Sequence, residues 1–146
     1  MLKITEITCE HQICPLAIET KYPRFSWKLK SEEKNTIQTA YQIIVRTYEG
    51  KEIWNSGRTD SKQTYEVIYN GRALESAKRY HYQIQVWDNH GNTAISESKR
   101  FETAYFGSND WKADWIEPDP LPQLPENPLP KAQAIWNECL MGVKSF

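Results

Sequence analysis

The side chains best suited to bind a ligand in this sequence are aromatic. The chain has 146 residues, including six tryptophans and eight tyrosines. An exposed aromatic ring can form a stacking platform for a sugar ring, or it can be the contact point for another domain. The best candidates are Trp54, Trp87 and Tyr48. Trp87 has the opposite strand parity to the apolar stripe in residues 80–86, so we expect it to point away from the core.

Two interpretations of an outward Trp87 are open. It could bind a sugar, or it could contact a neighbouring domain. Trp111 and Trp115 follow nearby in the sequence and could fold back over Trp87. Their positions favour the domain contact over sugar binding.

Catalytic side chains do not form a recognisable set. A hydrolase serine on a tight turn would show a G-x-S-x-G motif, which is missing, and the six glycines are isolated and form no phosphate loop. A pair of carboxylates could cleave a glycoside, and the best pair is Asp110 and Asp114 in NDWKADW. We interpret both as solvated charges of a linker, because most Asp side chains are exposed to solvent and have no catalytic role.

The cysteines and histidines do not suggest a metal site. Cys9, Cys14 and Cys139 are odd in number and lack a C-x-x-C spacing, and the three histidines are scattered. This pattern favours reduced cysteines in a cytoplasmic protein. We therefore predict no catalytic, cofactor-binding or metal-binding residue in this chain.

The composition and the first residues argue against several partners. The chain has 18 basic and 19 acidic residues and a net charge of −1, which gives no electrostatic reason to expect nucleic acid or an anionic membrane. The opening MLKITEITCEH has no apolar signal core, and no run of about 18 apolar residues occurs. We therefore expect no secretory signal, no transmembrane helix and a cytoplasmic location.

The first 106 residues are predicted to form β-strands, and these strands must position the aromatic candidates. Apolar residues recur with a period of two, which is typical of half-buried strands. The apolar sets are Leu2, Ile4 and Ile7; Phe25, Trp27 and Leu29; Tyr41, Ile43 and Val45; the short EIWNSG; Tyr65, Val67 and Tyr69; Tyr80, Tyr82, Ile84 and Val86; and Ile95 with Phe101 in a single last strand. About seven short strands separated by turns predict an all-β fold, an immunoglobulin-like or fibronectin type III-like β-sandwich.

Two positions sharpen the sandwich prediction. Leu74 precedes Tyr80 by six residues in LESAKRY, just before the longest strand. This is the pattern of a tyrosine corner, in which the tyrosine hydroxyl bonds to the backbone upstream. Trp27 shares its parity with Phe25 and Leu29 in YPRFSWKL, so we predict that it lies between the two sheets.

The composition changes near residue 117. Only Pro15 and Pro23 precede that point, whereas six prolines fall within residues 118–130. Closely spaced prolines remove backbone donors and fix φ, which predicts an extended linker. We therefore divide the chain into a β-sandwich, residues 1–117, and a Pro-rich linker with the truncated start of a following segment, residues 118–146.

Five stretches in fixed order resemble a known family. They are CEHQICPLAIETKYPRFSW (9–27), QTAYQIIV (38–45), IWNSGRTDS (53–61), YHYQIQVWDNHG (80–91) and DWKADWIEP (110–118). Together they resemble the N-terminal fibronectin type III-like domain of bacterial α-L-rhamnosidases of glycoside hydrolase family 78. One departure is that the family commonly has Asn-Pro-Leu-Gly where this chain has Cys14, Pro15, Leu16 and Ala17.

The resemblance implies a non-catalytic role. In that family jelly-roll-type β-domains follow, and then an (α/α)₆ barrel carries the acidic residues that hydrolyse terminal α-L-rhamnose with inversion. No residue of that barrel can be carried over to this chain, so we expect it to be inactive alone and to pack against downstream domains of its parent enzyme. Two alternatives stay open: a carbohydrate-binding module that uses Trp54 or Trp87, and a protein-interaction module.

Overall fold

The computed structural model describes residues 1–110 and 112–113, and Met1–Lys112 form one compact unit. Its elements are β1 Lys3–Cys9, β2 Arg24–Lys30, β3 Gln38–Thr47, β4 Glu52–Asn55, β5 Thr59–Asp60, β6 Val67–Ile68, β7 Arg79–Asp88, β8 Thr93–Ile95, β9 Lys99–Glu102 and a 3₁₀ turn, Ser108–Asp110. Within these residues, no helix has the length and apolar character needed to cross a membrane. The predictions for Trp111, Asp114, Trp115, Cys139 and the segment 118–146 lie outside the described residues.

The strands form two antiparallel sheets. One sheet has three strands in the order β1-β2-β6, and the other has six, with β4-β3-β7-β8 as its path, β5 paired with β3 and β9 paired with β7. The all-β sandwich prediction is therefore confirmed. The count rises from about seven strands to nine because β5 was not predicted and because the last strand is split in two.

The core lies between the sheets and follows the predicted stripes. β3 and β7 pair along their whole length, with Ile43 opposite Ile84 and Val45 opposite Tyr82. These four side chains are fully buried. From the three-stranded sheet, Phe25 stacks on Tyr82 with ring centroids 4.8 Å apart. The alternation of apolar residues in each strand therefore builds a single core across the two sheets.

The prediction that Trp27 lies between the sheets is confirmed. Its ring is buried and packs edge-on against Tyr41, with centroids 5.3 Å apart. The indole Nε1–H donates to Oε1 of buried Gln38 at 2.8 Å. Gln38 in turn donates from Nε2 to the carbonyls of Ser61 and Gln63. The indole N–H of Trp27, which would otherwise be an unsatisfied donor in the core, thus has a hydrogen-bond acceptor that is itself held in place by hydrogen bonds.

The tyrosine corner is also present. The backbone N–H of Glu75 donates to the hydroxyl oxygen of Tyr80 at 3.1 Å, and Leu74 is buried beside it. Tyr80 stacks on Phe101 with centroids 5.4 Å apart. The loop that crosses between the sheets is therefore fixed to the first residues of β7.

The prediction of a strand with Tyr65, Val67 and Tyr69 on one face is wrong at its start. Tyr65 is 60% exposed, whereas Val67 and Tyr69 are buried. Glu66 has a φ of 52°, in the left-handed region, so it interrupts the extended backbone between Tyr65 and Val67. As a result the strand shrinks to Val67–Ile68.

The prediction of one last strand that holds Ile95 and Phe101 is also corrected. β8 and β9 both pair with β7, and Ser96 lies at the break between them. The backbone N–H of Ile84 donates to Ser96 Oγ at 3.0 Å, and Ser96 N–H donates to the Ile84 carbonyl at 2.8 Å. Ile95, opposite Gln85 on the outward row, is 60% exposed. The side-chain hydroxyl thus replaces one ladder bond and interrupts the strand.

The residues 15–18 cover the outer edge of β9. Glu102 N–H donates to the Pro15 carbonyl, and Ile18 N–H donates to the Glu102 carbonyl, both at 2.9 Å. Unpaired edge strands promote aggregation, so this segment protects the sheet. Cys14, which leads into it, has a φ of 53°. Asn is enriched in that left-handed region, so an Asn would suit this position better than Cys does.

Candidate functional site

Trp54 is not an open platform. It lies opposite Val45 in the β3-β4 pair and packs, half-buried, against the core. Its ring meets the ring of Tyr69 edge-on, with centroids 4.9 Å apart. The loop after β6 approaches so closely that a Cβ on Gly71 would lie 2.9 Å from Trp54 Cβ. Trp54 therefore contributes mainly to packing at the rim of the core.

Trp87 points away from the core, as its parity predicted. It is half-buried, and its inward neighbours Val86 and Asp88 are buried. The guanidinium of Arg58 lies 4.9 Å from the Trp87 ring centroid. A cation at this distance is attracted to the electron-rich face of an indole. One face of Trp87 is thus already in contact with Arg58.

Trp87 belongs to a surface of the six-stranded sheet that carries almost no charge. We define this neutral face by its outward, central positions: Gln42 and Ile44 of β3, Gln83, Gln85 and Trp87 of β7, and Ile95 of β8. Direct neighbours across the strands are Ile44 with Gln83, and Gln85 with both Gln42 and Ile95. The amides and apolar side chains therefore form one continuous patch.

Two of the three glutamine amides of the neutral face are held in place by their neighbours. Gln42 Nε2 donates to Asn55 Oδ1 at 2.8 Å, and Gln83 Nε2 donates to the Ser96 carbonyl at 3.0 Å. Ion pairs of this sheet lie outside these central positions: Arg79 Nε contacts Glu102 Oε1 at 2.8 Å toward one end, and Arg58 Nε lies 3.8 Å from Asp60 Oδ1 toward the other end. The centre of the face is consequently polar, ordered and uncharged.

The outer face of the three-stranded sheet is different, and we call it the charged face. Its outward positions on β1 and β2 are Lys3, Glu6, Lys28 and Lys30. Lys28 Nζ lies 2.8 Å from Glu6 Oε1, and Lys3 lies directly opposite Lys30. Charges of this kind keep a sheet surface hydrated and disfavour association.

An ionic network stands at one end of the charged face. Arg24 donates from Nη2 to Glu10 Oε2 and from Nη1 to Glu66 Oε1, both at 2.9 Å. The Arg24 backbone N–H also donates to Glu10 Oε1 at 2.7 Å. His11 Nε2 approaches Glu66 Oε1 at 3.2 Å. The side-chain hydrogen bond from Arg24 holds the pKa of Glu10 below its usual value.

This network joins the CEH and PRFSW stretches to Glu66, which directly precedes β6. The network residues Glu10, His11 and Glu66 all have positive φ, between 48° and 62°. Non-Gly residues in that region are strained and persist only when surrounding contacts hold them. The network could not be predicted from the sequence, because its three segments are far apart along the chain. The pattern of residue types also does not show which residues adopt a positive φ.

The described residues offer little that could act as a catalyst. Burial raises the pKa of the Cys9 thiol far above its ordinary value, so this thiol stays protonated and unreactive. Asp110 ends the 3₁₀ turn, is exposed and accepts a hydrogen bond from Ser76. Within the described part of the chain, no three His, Cys, Asp or Glu side chains come together as metal ligands.

Comparison with known proteins agrees with the sandwich and with its motifs. The family described as "Rha78A-like, N-terminal immunoglobulin domain" matches residues 4–107. This chain belongs to that family. The match covers every strand except the first residue of β1. The resemblance drawn from the five sequence stretches is thereby confirmed.

Several relatives of this Rha78A-like domain are named α-L-rhamnosidases. One from Streptomyces avermitilis is 31% identical over 141 residues, which cover 92% of this chain and 14% of the relative. One from Formosa agariphila is 34% identical over 110 residues, 70% of this chain and 12% of the relative. The chain thus spans only about one seventh of the length of the curated relatives that it matches.

Solved structures show the same relation. The Streptomyces avermitilis α-L-rhamnosidase in complex with L-rhamnose superposes with a TM-score of 0.74 over 86% of this chain and 13% of that chain. The α-L-rhamnosidase from Dictyoglumus thermophilum is 34% identical and gives a TM-score of 0.71 over 80% of this chain and 14% of that chain. In both proteins the Rha78A-like domain is a small part of a much longer polypeptide.

Proposed function

We propose that this chain is the non-catalytic, N-terminal accessory domain of an α-L-rhamnosidase-like glycoside hydrolase, and that it packs against other domains of the same polypeptide. The observation that carries the proposal is the extent of the match, since the chain corresponds to 14% of the Streptomyces avermitilis enzyme. The hydrolysis of terminal α-L-rhamnose then belongs to the remainder of the parent enzyme. A cytoplasmic location is part of the same proposal.

The composition of the neutral face favours this surface as the one that packs against another domain. Interface centres are depleted in charged residues and enriched in aromatic residues and Arg. Trp87 with Arg58 supplies the aromatic and cationic pair, and Ile44 and Ile95 supply apolar contact. The amides of Gln42 and Gln83 are already oriented, so they lose little side-chain entropy on docking. The charged face differs at its centre, where it presents Lys3, Glu6, Lys28 and Lys30.

The absence of catalysis is tested by assaying the purified chain with an aryl α-L-rhamnoside, with the Streptomyces avermitilis enzyme as positive control. We expect no turnover above the rate without protein. Near-ultraviolet circular dichroism of the same sample shows whether the buried aromatic residues are packed, so that a negative result comes from folded protein. Clear turnover by this chain would overturn the proposal.

Sugar binding through Trp54 or Trp87 has weaker support. Trp54 packs half-buried against Tyr69, and Trp87 is itself half-buried, with one face in contact with Arg58, so each ring offers less open surface than an exposed platform would. NMR titration of the indole N–H signals with L-rhamnose decides between the two functions. We expect the Trp87 indole signal to stay in place at millimolar sugar, and a saturable shift would favour the carbohydrate-binding alternative.

A further inference from the structure

A cleft of about 470 Å³ opens between the β3-β4 turn and the loop that precedes β7. Its floor is apolar and aromatic, and is made by Ile53, Tyr69, Leu74 and Tyr80. This volume is in the range of small-molecule sites, which combine such a floor with a few polar groups. The cleft is separate from the neutral face and from the charged face.

Both walls of the cleft are already fixed. On one side, Tyr69 Oη donates to the Arg72 carbonyl at 2.9 Å, and a Cβ on Gly71 would lie 2.5 Å from the Tyr69 ring. The same loop is held by Thr103, whose Oγ1 donates to the Glu75 carbonyl at 2.7 Å and accepts from Lys78 N–H at 2.9 Å. On the other side, the β3-β4 turn is closed by a hydrogen bond from Thr47 N–H to the Lys51 carbonyl at 2.8 Å. A ligand would therefore meet a preformed site and would not have to order a loop.

The rim of the cleft is more basic than acidic. Its charged side chains are Lys51, Arg72, Lys78 and Arg79 against Glu49 and Glu75. Arg79 is paired with Glu102, whereas Lys51 and Arg72 make no ion pair within the described residues. A ligand with one negative charge is complementary to this rim, since four basic side chains lie there with two acidic ones, and neither Lys51 nor Arg72 has an anionic partner among the described residues.

The rim also has an aromatic platform. Tyr48 is 61% exposed, and the Arg79 guanidinium lies 5.1 Å from its ring centroid. Because Glu102 holds Arg79, the stacked Arg79 helps to fix the position of the Tyr48 ring. A ring of this kind can pack against the apolar face of a pyranose. Tyr48 was one of the three aromatic candidates in the sequence.

We propose that this cleft binds a pyranose that carries one carboxylate, that is, a hexuronic acid residue of a glycan. Tyr48 packs against the ring, and Lys51 and Arg72 bind the carboxylate. Glu49 and Glu75 accept hydrogen bonds from the ring hydroxyls. A bare phosphate or sulfate fits less well, because it has no apolar ring face to pack against Tyr48 and no ring hydroxyls to donate to Glu49 and Glu75. The proposal concerns a second site and does not depend on the accessory role.

The test is an NMR titration of the ¹⁵N-labelled chain with methyl β-D-glucuronide, and in parallel with methyl β-D-glucoside. We expect saturable shifts in the amides of residues 48–51 and 72–79, with a Kd on the order of 1 mM for a single sugar ring. The glucoside, which lacks the carboxylate, should bind at least about tenfold more weakly. Equal binding of both sugars, or no shift in these amides, would overturn the proposal.

Two pairs of variants locate the site. Arg72→Gln should weaken binding by roughly tenfold, because one charged partner is lost. Arg100→Gln removes an exposed arginine outside the cleft and should leave the Kd unchanged. Tyr48→Ala should also weaken binding, whereas Tyr65→Ala, which removes an equally exposed tyrosine elsewhere, should not. Similar effects within either pair would show that binding is not at the cleft.

A third ligand separates a sugar site from an acidic-peptide site. N-acetyl-glutamate amide carries the same carboxylate without a pyranose ring. We expect it to bind more weakly than the glucuronide and to be insensitive to Tyr48→Ala. Binding as tight as that of the glucuronide would contradict the sugar assignment and identify the cleft as a site for acidic peptide segments.

Discussion

The outer faces of the two sheets differ in the kind of polar group that they expose. The charged face presents Lys3, Glu6, Lys28 and Lys30, whereas the neutral face presents amides, isoleucines and Trp87. Both faces are built by the same alternation of inward and outward residues. We infer from this difference that the alternation of inward and outward residues specifies the core. The chemistry of the outward residues then favours one of the two faces for contact with another domain.

The two faces also differ in how strain is distributed. The end of the charged face contains Glu10, His11 and Glu66 with positive φ. None of the neutral-face residues has a positive φ. We infer that the three-stranded sheet depends on its ionic network to hold an unusual backbone, whereas the six-stranded sheet depends on regular pairing.

The largest expected effect comes from comparing an inward tryptophan with an outward one. Trp27→Ala should lower the free energy of unfolding by about 3–5 kcal/mol, because it leaves a cavity between the sheets. Trp87→Ala should lower it by under about 1 kcal/mol in the isolated domain, because Trp87 lies on the outer face. Urea denaturation measures both values. A loss well under 1 kcal/mol for Trp27→Ala would contradict its place in the core.

A second prediction concerns the pH dependence of the ionic network. In the folded state the pKa of Glu10 is below its ordinary value of 4.5. Its contribution to stability is therefore complete above that ordinary value and is lost as the pH falls through the folded-state pKa. Glu10→Gln should make stability less dependent on pH below about 4.5, as measured by urea denaturation between pH 7 and pH 3.

The matched control for that experiment is Glu97→Gln. The Glu97 side chain is 92% exposed and lies between β8 and β9, away from Arg24. We expect its pH profile to follow that of the unaltered protein. If Glu10→Gln also follows the unaltered protein, then the network of the three-stranded sheet does not contribute to acid sensitivity.

A smaller effect is expected where the chain leaves the charged face. Cys14→Asn places a residue that tolerates the left-handed region at a φ of 53°. The melting temperature should rise, with a gain of at most about 1 kcal/mol, because the left-handed conformation is costly for most L-residues. Cys14→Ala should give no gain, and equal stabilisation by both would mean that removal of the thiol is responsible.

Much of the sandwich could be predicted from the sequence. The stripe from Tyr80 to Val86 and the alternation of Phe25 and Trp27 encode burial directly, because a strand turns every second side chain inward. The tyrosine corner was predictable because Leu74 and Tyr80 are close in sequence. The domain boundary at residue 117 stays a prediction.

The surfaces were harder to predict. Tyr65 and Ile95 fit an apolar pattern but are exposed, since a left-handed Glu66 and the hydroxyl of Ser96 break the strands beside them. The Arg24 network and the cleft join segments that are distant in the sequence. Pairing between such segments is set by tertiary packing, and local patterns of residue type do not report it.

The most direct test of the central claim, docking through the neutral face, is a fusion experiment. Residues 1–112 replace the matching N-terminal domain of the Streptomyces avermitilis α-L-rhamnosidase, and thermal unfolding of the fusion is compared with that of the isolated domain. Ile44→Glu places a charge in the centre of the neutral face, and Lys30→Glu changes a charge on the charged face. We predict that Ile44→Glu destabilises the fusion more than the isolated domain, whereas Lys30→Glu affects both equally. Equal effects of Ile44→Glu in the two contexts, or a larger fusion-specific loss for Lys30→Glu, would contradict the account.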